Sequence, residues 1–500
     1  MSVLIFQTVS LEKLSTPAHW SPHWSHSRLT LTVVFGVSLF VCQSPYGLAL
    51  APLDPIAGTP AQDEALYAHG IERMAQGGDW LTPRFLGRPL LVKPPLLAWL
   101  SAASLRTFGR QLWALRLPSA LAAAGVLLLV YQATGPVGWL LLATCALWRE
   151  RVGLAMMDDL LTLLNMAAVG WLARDRKFEG RGSAWVFGAL VGTAVMTKWF
   201  AGFLPLAMLV WARPPWRRWL EVGAAVAIVA APWHAYQLLL NRDWFLAEYL
   251  GVELFGYALN APTQASQEGH LAFYAVRTLY LLPLAAPLLM RRWNIAWLVW
   301  CGVIVCGILA YSYQNATYLV PLAPALLLCH RGWIHWGFVP LAMLGWLWLV
   351  PPGVPPNEQP PISNRYAGRE VLHLDPDDQL RTALSPGATV RYVFLIAHLP
   401  PNGPLDFERL GVAKSVDAFL AAPEAKVDAV LASDLGALRR LIEQSPQRDF
   451  VLPRKVWAAL AMTSSHEVIR DGKVWLKSRV PQPGPRPNQF GLLDGPGFAK

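Results

Sequence analysis

The sequence has little charge: only 15% of its 500 residues are Asp, Glu, Lys or Arg, whereas 54% are hydrophobic. A soluble domain carries about a quarter charged residues, so this composition excludes an ordinary soluble protein and indicates a polytopic membrane protein. The 24 tryptophans fit this class, because indole rings favour the membrane–water interface. The formal net charge of +10 lies mainly in short clusters between apolar runs. Since such clusters set membrane topology, we do not expect nucleic-acid binding.

Cysteine is also scarce, and its five positions are an odd number: Cys42, Cys145, Cys301, Cys306 and Cys329. The sequence has no CxxC motif and no His/Cys pattern with zinc spacing, so neither a disulfide framework nor a structural zinc site is predicted. A cleavage signal is lacking as well. Residues 1–28 are polar and lead into an apolar run without an A-x-A site, which predicts an uncleaved first span.

Apolar runs dominate residues 29–350, which we predict to form a transmembrane domain. A helix that spans the bilayer needs about 20 apolar residues, fewer if flanking side chains reach the interface, and this criterion gives about eleven spans. They lie near 29–50, 115–134, 136–148, 154–173, 183–196, 199–212, 219–236, 271–290, 295–311, 317–330 and 334–350. The predicted fold class is therefore a polytopic α-helical membrane protein.

The short basic loops give the chain a direction across the membrane, because loops rich in arginine and lysine face the cytoplasm. They alternate with loops that contain few basic residues. This predicts a cytoplasmic N-terminal segment, a long outer loop over 43–115 and, with an odd number of spans, an extracytoplasmic C-terminus. The basic loops contain Arg174, Arg176, Lys177 and Arg181; Arg213, Arg217 and Arg218; Arg291 and Arg292; and Arg331.

The composition changes at Pro351. A proline-rich linker is predicted over 351–364, because such sequences are stiff and extended. Short β-branched runs then alternate with helical patterns, which predicts a small extracytoplasmic α/β domain over 365–482. Asp471-Gly472 is a hairpin turn signal within it. The Pro/Gly-rich tail over 483–500 is predicted to be disordered.

The outer loop contains an acidic pair, Asp63 and Glu64. Residues 59–62 form a capping box with proline at the first helical position, so a helix is predicted from Pro60 to the glycines at 77–78. Acids in a first turn are favoured by the helix dipole, which is the ordinary structural explanation of the pair. We expect the helix to lie on the membrane surface with its apolar stripe down. That stripe consists of Tyr67, Ile71 and Met74.

Lys93 stands alone between apolar residues and Pro94-Pro95. A residue before proline is held extended, so this lysine is kept out of the helix that follows. One interpretation is a lysine whose ammonium simply reaches the interface while its stem packs on apolar surface. The functional alternative is an ammonium fixed at headgroup depth, where it binds a phosphate as a point charge.

Asp158 and Asp159 precede another apolar run. Adjacent carboxylates beside apolar neighbours are costly to keep charged, so acids at a membrane boundary are functional candidates. The predicted topology puts them on the same side as Asp63. Lys198 and His270 are predicted in other outer loops, although a single histidine of this kind is more often an ordinary surface residue.

These motifs resemble a known family. Residues 63–100 resemble the first outer loop of GT-C glycosyltransferases related to bacterial 4-amino-4-deoxy-L-arabinose transferases and protein O-mannosyltransferases, whose pattern is roughly D-E-x-R-Y-A, G-D-W-x-x-P and K-P-P-L-x-x-W. The resemblance covers about 60–350 and, more loosely, the C-terminal domain. It continues in MMDDLLTLL (156–164), TKWFAGFLPL (197–206), APWHAY (231–236) and YLVPLAPALLL (318–328).

The resemblance implies an enzyme of the bacterial inner membrane that takes a sugar from a polyprenyl-phosphate donor. The acceptor would be a hydroxyl or phosphate of a lipid, glycan or protein at the extracytoplasmic face, in contact with membrane lipids. The resemblance implies no certain cofactor and leaves a divalent metal open, held by Asp63 or His270. A lipid or small-molecule transporter and a catalytically inactive relative are the alternatives.

The resemblance also implies roles for individual residues, which are assigned to the positions of this sequence that match the family's motifs. The catalytic candidates are Asp63, as general base or metal ligand, Asp158 and Glu64. The candidates for donor-phosphate binding are Lys93, His270 and Lys198. The candidates for positioning donor or acceptor are Tyr67, Asp159 and Tyr318.

The sequence also departs from the family pattern at four places. Leu66 replaces a usual arginine, which is the best argument for an inactive relative. Val92 replaces the acid before the lysine and puts a metal there in doubt. Trp199 replaces the glycine of T-K-G, and Asn315 stands where a basic residue is frequent.

Overall fold

A computed structural model gives the arrangement of the chain. It describes residues 28–43, 64, 67, 70, 71, 73–85, 88–109, 112–242, 245, 246, 249, 250, 254, 270–311, 313–341, 343, 369–373, 389–395, 429–432, 435–452, 454–471 and 473–480. The predicted linker over 351–364, the tail over 483–500, the start of the outer-loop helix at Pro60 and the acid Asp63 lie outside the described residues.

The described residues before residue 351 are mostly helical. Their bounds are α1 Arg28–Gln43, α2 Leu96–Phe108, α3 Leu112–Thr144, α4 Ala146–Arg151, α5 Met157–Arg174, α6 Ser183–Ala212, α7 Trp216–Leu240, α8 His270–Thr278, α9 Leu282–Ala285, α10 Ile295–Ala310 and α11 Leu322–Leu328. Short 3₁₀ helices cover Leu279–Leu281, Ala286–Met290, Ala316–Leu319 and Trp336–Phe338.

Within the described ranges, four helical stretches have the length and the apolar composition of membrane spans. They are Trp113–Thr144, Ser183–Ala212, Trp216–Leu240 and His270–Met290. Large apolar side chains lie on the outside of these stretches, for example Leu239, which is 79% exposed, and Leu289, which is 83% exposed. Such surfaces are stable against lipid rather than water. The chain is therefore a polytopic helical membrane protein, and the number of eleven spans stays a prediction.

Helix α6 is broken at Lys198 (φ −151°, ψ 73°) and Trp199 (φ 0°, ψ −98°). A methyl group placed on Gly202 would overlap the backbone of Ala194 and Val195. Residues seven positions apart in a straight helix are separated by about 10 Å, so the chain must fold back at the break. The two halves form a tight hairpin with Lys198 at its tip, which agrees with the two apolar runs predicted at 183–196 and 199–212.

Helix α3 has a similar break at Gly135, whose φ of 77° favours glycine. Pro136 follows and starts the second half of the helix. A Cβ atom at Gly135 would lie 3.0 Å from the ring of Trp333, and Ile334 N–H donates to the carbonyl of Thr134 over 3.0 Å. The break therefore falls between the predicted runs 115–134 and 136–148.

The basic loops contact one another in pairs. The Lys177 ammonium donates to the carbonyl oxygen of Arg213, so the loop before α6 meets the loop after it. Arg331 N–H donates to the carbonyl of Arg292 over 2.7 Å. These contacts hold together the loops that the alternation assigns to one side of the membrane; which side that is stays a prediction.

The described residues of the outer-loop helix are helical between 64 and 75, and a turn at Gly77 (φ 97°) ends the helix. The predicted stop at the glycines is thus confirmed. The expectation that the apolar stripe lies on the membrane is wrong, because Ile71 and Met74 are each only 1% exposed. They pack against protein, and the stripe docks the helix on the bundle. The buried neighbours are Ala102, Leu105, Ala114, Leu115 and Ala155.

A short antiparallel hairpin follows in the outer loop and consists of β1 Arg84–Phe85 and β2 Arg88–Pro89. Helix α2 begins directly after the Pro94-Pro95 pair. The order of helix, hairpin and helix places Lys93 in the connection that leads into α2, outside any helix.

The described residues after 368 form a six-stranded mixed sheet with two helices. The elements are β3 Glu370–His373, β4 Thr389–Leu395, β5 Ala429–Ala432, α12 Leu435–Gln444, β6 Asp449–Leu452, α13 Arg454–Leu460, β7 Glu467–Asp471 and β8 Lys473–Lys477. The strand order is β5-β4-β3-β6-β8-β7. The first four strands in this order are parallel, and β7 and β8 are antiparallel, with Asp471 opposite Lys473.

Candidate functional site

Asp158 and Lys198 form an ion pair at the point where α5 begins. The Lys198 ammonium donates to Asp158 Oδ1 over 2.7 Å, and Asp158 is only 4% exposed. Asp158 lies in the first turn of α5, where the helix dipole favours an anion. The break in α6 releases Lys198 from the helix and points it at this carboxylate. Two residues predicted for the site are therefore brought together.

Tyr318 joins the same cluster from a third element, the short helix Ala316–Leu319. The Lys198 ammonium lies 5.2 Å from the centre of the Tyr318 ring, within the range of a cation–π contact. The arrangement surrounds one ammonium with a carboxylate and an aromatic face. Asp158 and Lys198 are 40 positions apart in the chain, and Tyr318 lies 120 positions after Lys198. The three side chains meet only in the folded protein.

Asp159 faces the preceding loop instead. Its Oδ2 accepts the N–H of Gly153 over 2.9 Å, and the residue is 2% exposed. Its Oδ1 atom has no hydrogen-bond partner among the residues described. Asp159 was predicted to position a substrate, but its observed contact is with the backbone of the protein.

Glu64 is buried in an ion pair with Arg116. The Arg116 Nε and Nη2 atoms donate to the two Glu64 carboxylate oxygens over 2.6 and 2.5 Å. Glu64 Oε1 also accepts the N–H of Ala155 over 2.8 Å. The side chains of both charged residues are 3% exposed or less. These contacts occupy Glu64 within the protein, which favours a structural role over the predicted catalytic one.

Lys93 lines a small pocket at the same end of the bundle. Tyr67 from the outer-loop helix and Met157 from the start of α5 line it too, so the pocket adjoins the acid motif of α5. Among the described lining residues Lys93 is the charged one. The others are Ile71, Pro83, Leu90, Val92, Pro94, Pro95, Leu97 and Ala98. An apolar pocket with one half-buried ammonium suits an anionic group attached to a bulky apolar or neutral part.

His270, the first residue of α8, is connected to this cluster through Tyr274. The two rings meet edge to face at 5.1 Å, and His270 Nε2 is buried without a hydrogen-bond partner in the described part of the chain. The Tyr274 hydroxyl accepts the N–H of Asn315 over 3.2 Å. Asn315 Oδ1 in turn caps the helix that carries Tyr318. His270 is therefore linked to Lys198 indirectly, through Tyr274 and the segment 315–318.

Trp199 stands where the family has glycine and supports an aromatic cluster beside the hairpin tip. Its ring stacks on Tyr249 at 3.9 Å, and Tyr249 stacks on Phe245 at 4.8 Å. The Tyr249 hydroxyl lies 2.6 Å from His234 Nε2. His234 Nδ1 lies 2.7 Å from the carbonyl of Ala230, so the ring donates there and its Nε2 accepts from tyrosine.

A metal site is not apparent in the described ranges, where no three His, Cys, Asp or Glu side chains lie close enough to hold an ion. Val92 has no donor atom at the position where the aminoarabinose enzymes have an acid. A metal held by Asp63 or His270 stays a prediction.

Arg116 is the site residue that the motifs did not reveal. The sequence did contain a signal. An arginine within an apolar run is costly in free energy unless its charge is paired, so a partner was to be expected. Its partner Glu64 lies 52 residues earlier, beyond the reach of any local pattern.

Known proteins match the same region. Residues 92–236, which include Lys93, Asp158 and Lys198, match the family described as dolichyl-phosphate-mannose-protein mannosyltransferase. The undecaprenyl phosphate-α-4-amino-4-deoxy-L-arabinose arabinosyl transferase of Pseudomonas aeruginosa (strain LESB58) is 30% identical over 246 residues, which are 44% of this chain and 43% of that protein. The protein of the same name from Erwinia tasmaniensis is 30% identical over 195 residues, 34% of this chain and 35% of that protein. The matched stretch thus spans less than half of these relatives.

The fold extends further than the sequence match. The crystal structure of ArnT from Cupriavidus metallidurans bound to undecaprenyl phosphate superposes with a TM-score of 0.62. It covers 91% of this chain and 100% of that one at 17% identity. The two chains therefore share the arrangement of their helices over most of their length.

Proposed function

We propose that this chain, a GT-C glycosyltransferase of the aminoarabinose transferase type, moves a sugar from a polyprenyl-phosphate donor to an acceptor at the membrane surface. The single observation that supports this most strongly is the convergence of Asp158, Lys198 and Tyr318 from three separate elements. The pocket of Lys93 and Tyr67 adjoins this cluster at Met157. An anion site thus lies directly beside a buried acid.

The donor phosphate would bind at Lys93. Charge develops on the phosphate as the sugar–phosphate bond breaks, and a fixed ammonium in an apolar pocket stabilises that charge. Lys198, whose ammonium binds Asp158 over 2.7 Å, would provide a second positive charge at the site. The apolar side chains around Lys93 would contact the start of the prenyl chain.

The acceptor hydroxyl needs a base within hydrogen-bond reach. We assign this role to Asp63, which precedes the buried Glu64 in the chain, and we assign to Asp158 the orientation of Lys198. Tyr318 and Tyr67 would position the substrates, and His270 would bind near the phosphate.

The reaction would take place at the extracytoplasmic face of a bacterial inner membrane, with the N-terminus in the cytoplasm. The separation of the arginine-rich loops from the acidic end of the bundle supports this orientation. The acceptor would be a lipid, glycan or protein, and an amino sugar on undecaprenyl phosphate is the first donor to test because the relatives carry that name.

The test uses purified full-length protein and a polyprenyl-phosphate sugar. Lys93→Ala and Asp63→Asn should each lower transfer by about 100-fold or more, since removing one charge-stabilising or proton-accepting group has effects of this size. Lys477→Ala, on β8, is the matched control and should transfer sugar like the wild type. Wild-type rates in both site variants would reject the assignment. Movement of the intact donor across a vesicle membrane without sugar transfer would indicate a transporter instead.

A further inference from the structure

The loop over residues 152–156, between α4 and α5, is held by two buried acids from distant parts of the chain. Glu64 Oε1 accepts the N–H of Ala155 over 2.8 Å, and Asp159 Oδ2 accepts the N–H of Gly153 over 2.9 Å. Each acid is the second member of an adjacent acidic pair, and each is 2% exposed or less. The loop therefore links the two acidic motifs of the sequence.

Arg116 fixes Glu64 in this position. Its guanidinium binds both carboxylate oxygens, over 2.6 and 2.5 Å, in the two-pronged geometry that only arginine provides. Ser119 lies about one turn further along α3 and donates to the carbonyl of Met156 over 3.1 Å. Helix α3 thus holds both the outer-loop helix and the residues that lead into α5.

The contacts leave Glu64 poorly suited to proton transfer. A substrate would have to displace Arg116 from a site where both partners are almost completely shielded from water. Separating a buried pair is costly, because it leaves an uncompensated charge. The first members of the two pairs, Asp63 and Asp158, are the ones to which the proposed function gives a role at the site.

We infer that Arg116, Glu64 and Asp159 are positioning residues that form a brace between the two acidic motifs. The brace fixes the outer-loop helix against the start of α5 and so sets the spacing between Asp63 and Asp158. This inference rests on the proposed function, in which Asp63 accepts the proton of the acceptor and Asp158 orients Lys198 at the same site. A displacement of about 1 Å in such an arrangement lowers a rate by about 100-fold.

Purified full-length variants test the brace. Glu64→Ala should lower kcat by about 100-fold and leave the KM of the donor almost unchanged, because the substrates still bind but are misaligned. Glu64→Gln keeps the oxygen that accepts the N–H of Ala155, so it should retain most of kcat and the pH–rate profile of the wild type. Arg218→Met removes the half-exposed pair with Glu221 and is the matched control, with no expected effect.

Two results would overturn the inference. Glu64→Gln as inactive as Glu64→Ala, with an altered pH–rate profile, would make Glu64 a proton-transfer group. Glu64→Ala with the kcat of the wild type would show that the spacing does not depend on the brace.

Hydrogen–deuterium exchange provides a readout that needs no turnover. The peptide that contains residues 152–156 should exchange faster in Glu64→Ala, which removes the acceptor of the Ala155 N–H, and in Arg116→Met, and it should exchange like the wild type in Arg218→Met. Exchange equal to that of the wild type in Arg116→Met would refute the brace. A wild-type protein that transfers no sugar would reject the proposed function, and the exchange result would then decide on the brace by itself.

Discussion

At the residue scale, the ion pair of Lys198 and Asp158 determines the electrostatics of the site. The side chains of the two residues are 17% and 6% exposed, so water screens the pair only weakly. Each charged group needs the other as its partner. A single charge buried here would lose its contacts with water and gain no protein contact in their place, which costs free energy. Removing one partner of the pair is therefore costly, and the pair fixes the Lys198 ammonium between Asp158 and the ring of Tyr318.

Asp158→Ala should destabilise the protein by about 3–5 kcal/mol, because Lys198 is then buried without its partner. The double variant Asp158→Ala/Lys198→Met should lose less, since neither charge remains. Thermal unfolding in detergent measures both effects. Glu221→Gln breaks a pair that is about one third exposed and should cost about 1 kcal/mol or less. If the loss of stability in the double variant equals the sum of the losses in Asp158→Ala and Lys198→Met, the two charges do not interact.

At the element scale, the hairpin of α6 brings Lys198 to its partner. The hairpin requires Gly202, whose Cα lies against the backbone of Ala194 and Val195. The family glycine at the tip is replaced by Trp199, and its stacking on Tyr249 takes the large ring away from the break. The apolar pattern predicted two runs here, but the close approach of the two halves depends on one glycine that no periodicity marks.

Gly202→Ala should therefore disrupt the hairpin, because its methyl group would meet backbone atoms that have no room to move. Gly223→Ala in α7 is the matched control: a Cβ there meets nothing within 4 Å, and alanine favours a helix by up to about 1 kcal/mol. The yield of monodisperse protein and its melting temperature in detergent should fall for the first variant and stay equal or rise for the second. Equal melting temperatures for Gly202→Ala and the wild type would contradict the hairpin.

At the scale of the whole molecule, the bundle has two chemically different ends. Helix α7 starts beside the basic residues Arg217 and Arg218, and near its other end Trp233 and Gln237 donate to the carbonyl of Leu81 over 2.7 and 2.6 Å. Leu81 belongs to the outer loop that carries Glu64. The acidic end and the arginine-rich end are thus separated by the length of a helix.

This polarity predicts how a membrane-impermeant maleimide labels cysteines introduced one at a time, in intact spheroplasts. Leu81→Cys, at a 42% exposed position of the outer loop, should be labelled, and Glu179→Cys in a basic loop should be labelled only after lysis. Arg440→Cys on α12 should follow Leu81→Cys if the α/β domain is extracytoplasmic. The wild type, with its five native cysteines, gives the background. Labelling of Glu179→Cys from outside would reverse the proposed orientation.

The sequence by itself determined the membrane class, the acidic motifs and the position of Lys93. These depend on local hydrophobicity and on proline, which act over a few residues of the chain. It also indicated the break at Trp199 through the length of its apolar runs. The strands at 429–432 and 449–452 followed from β-branched composition in the same way.

Only the tertiary structure decided which charges are paired. Glu64 is bound by Arg116 across 52 residues, and Asp158 by Lys198 across 40. Two adjacent acids in one turn have the same local environment in the sequence, so their different partners are fixed only when the helices pack. The apolar stripe of Ile71 and Met74 illustrates the same limit: its pattern shows that it is buried, and packing alone decides whether lipid or protein covers it.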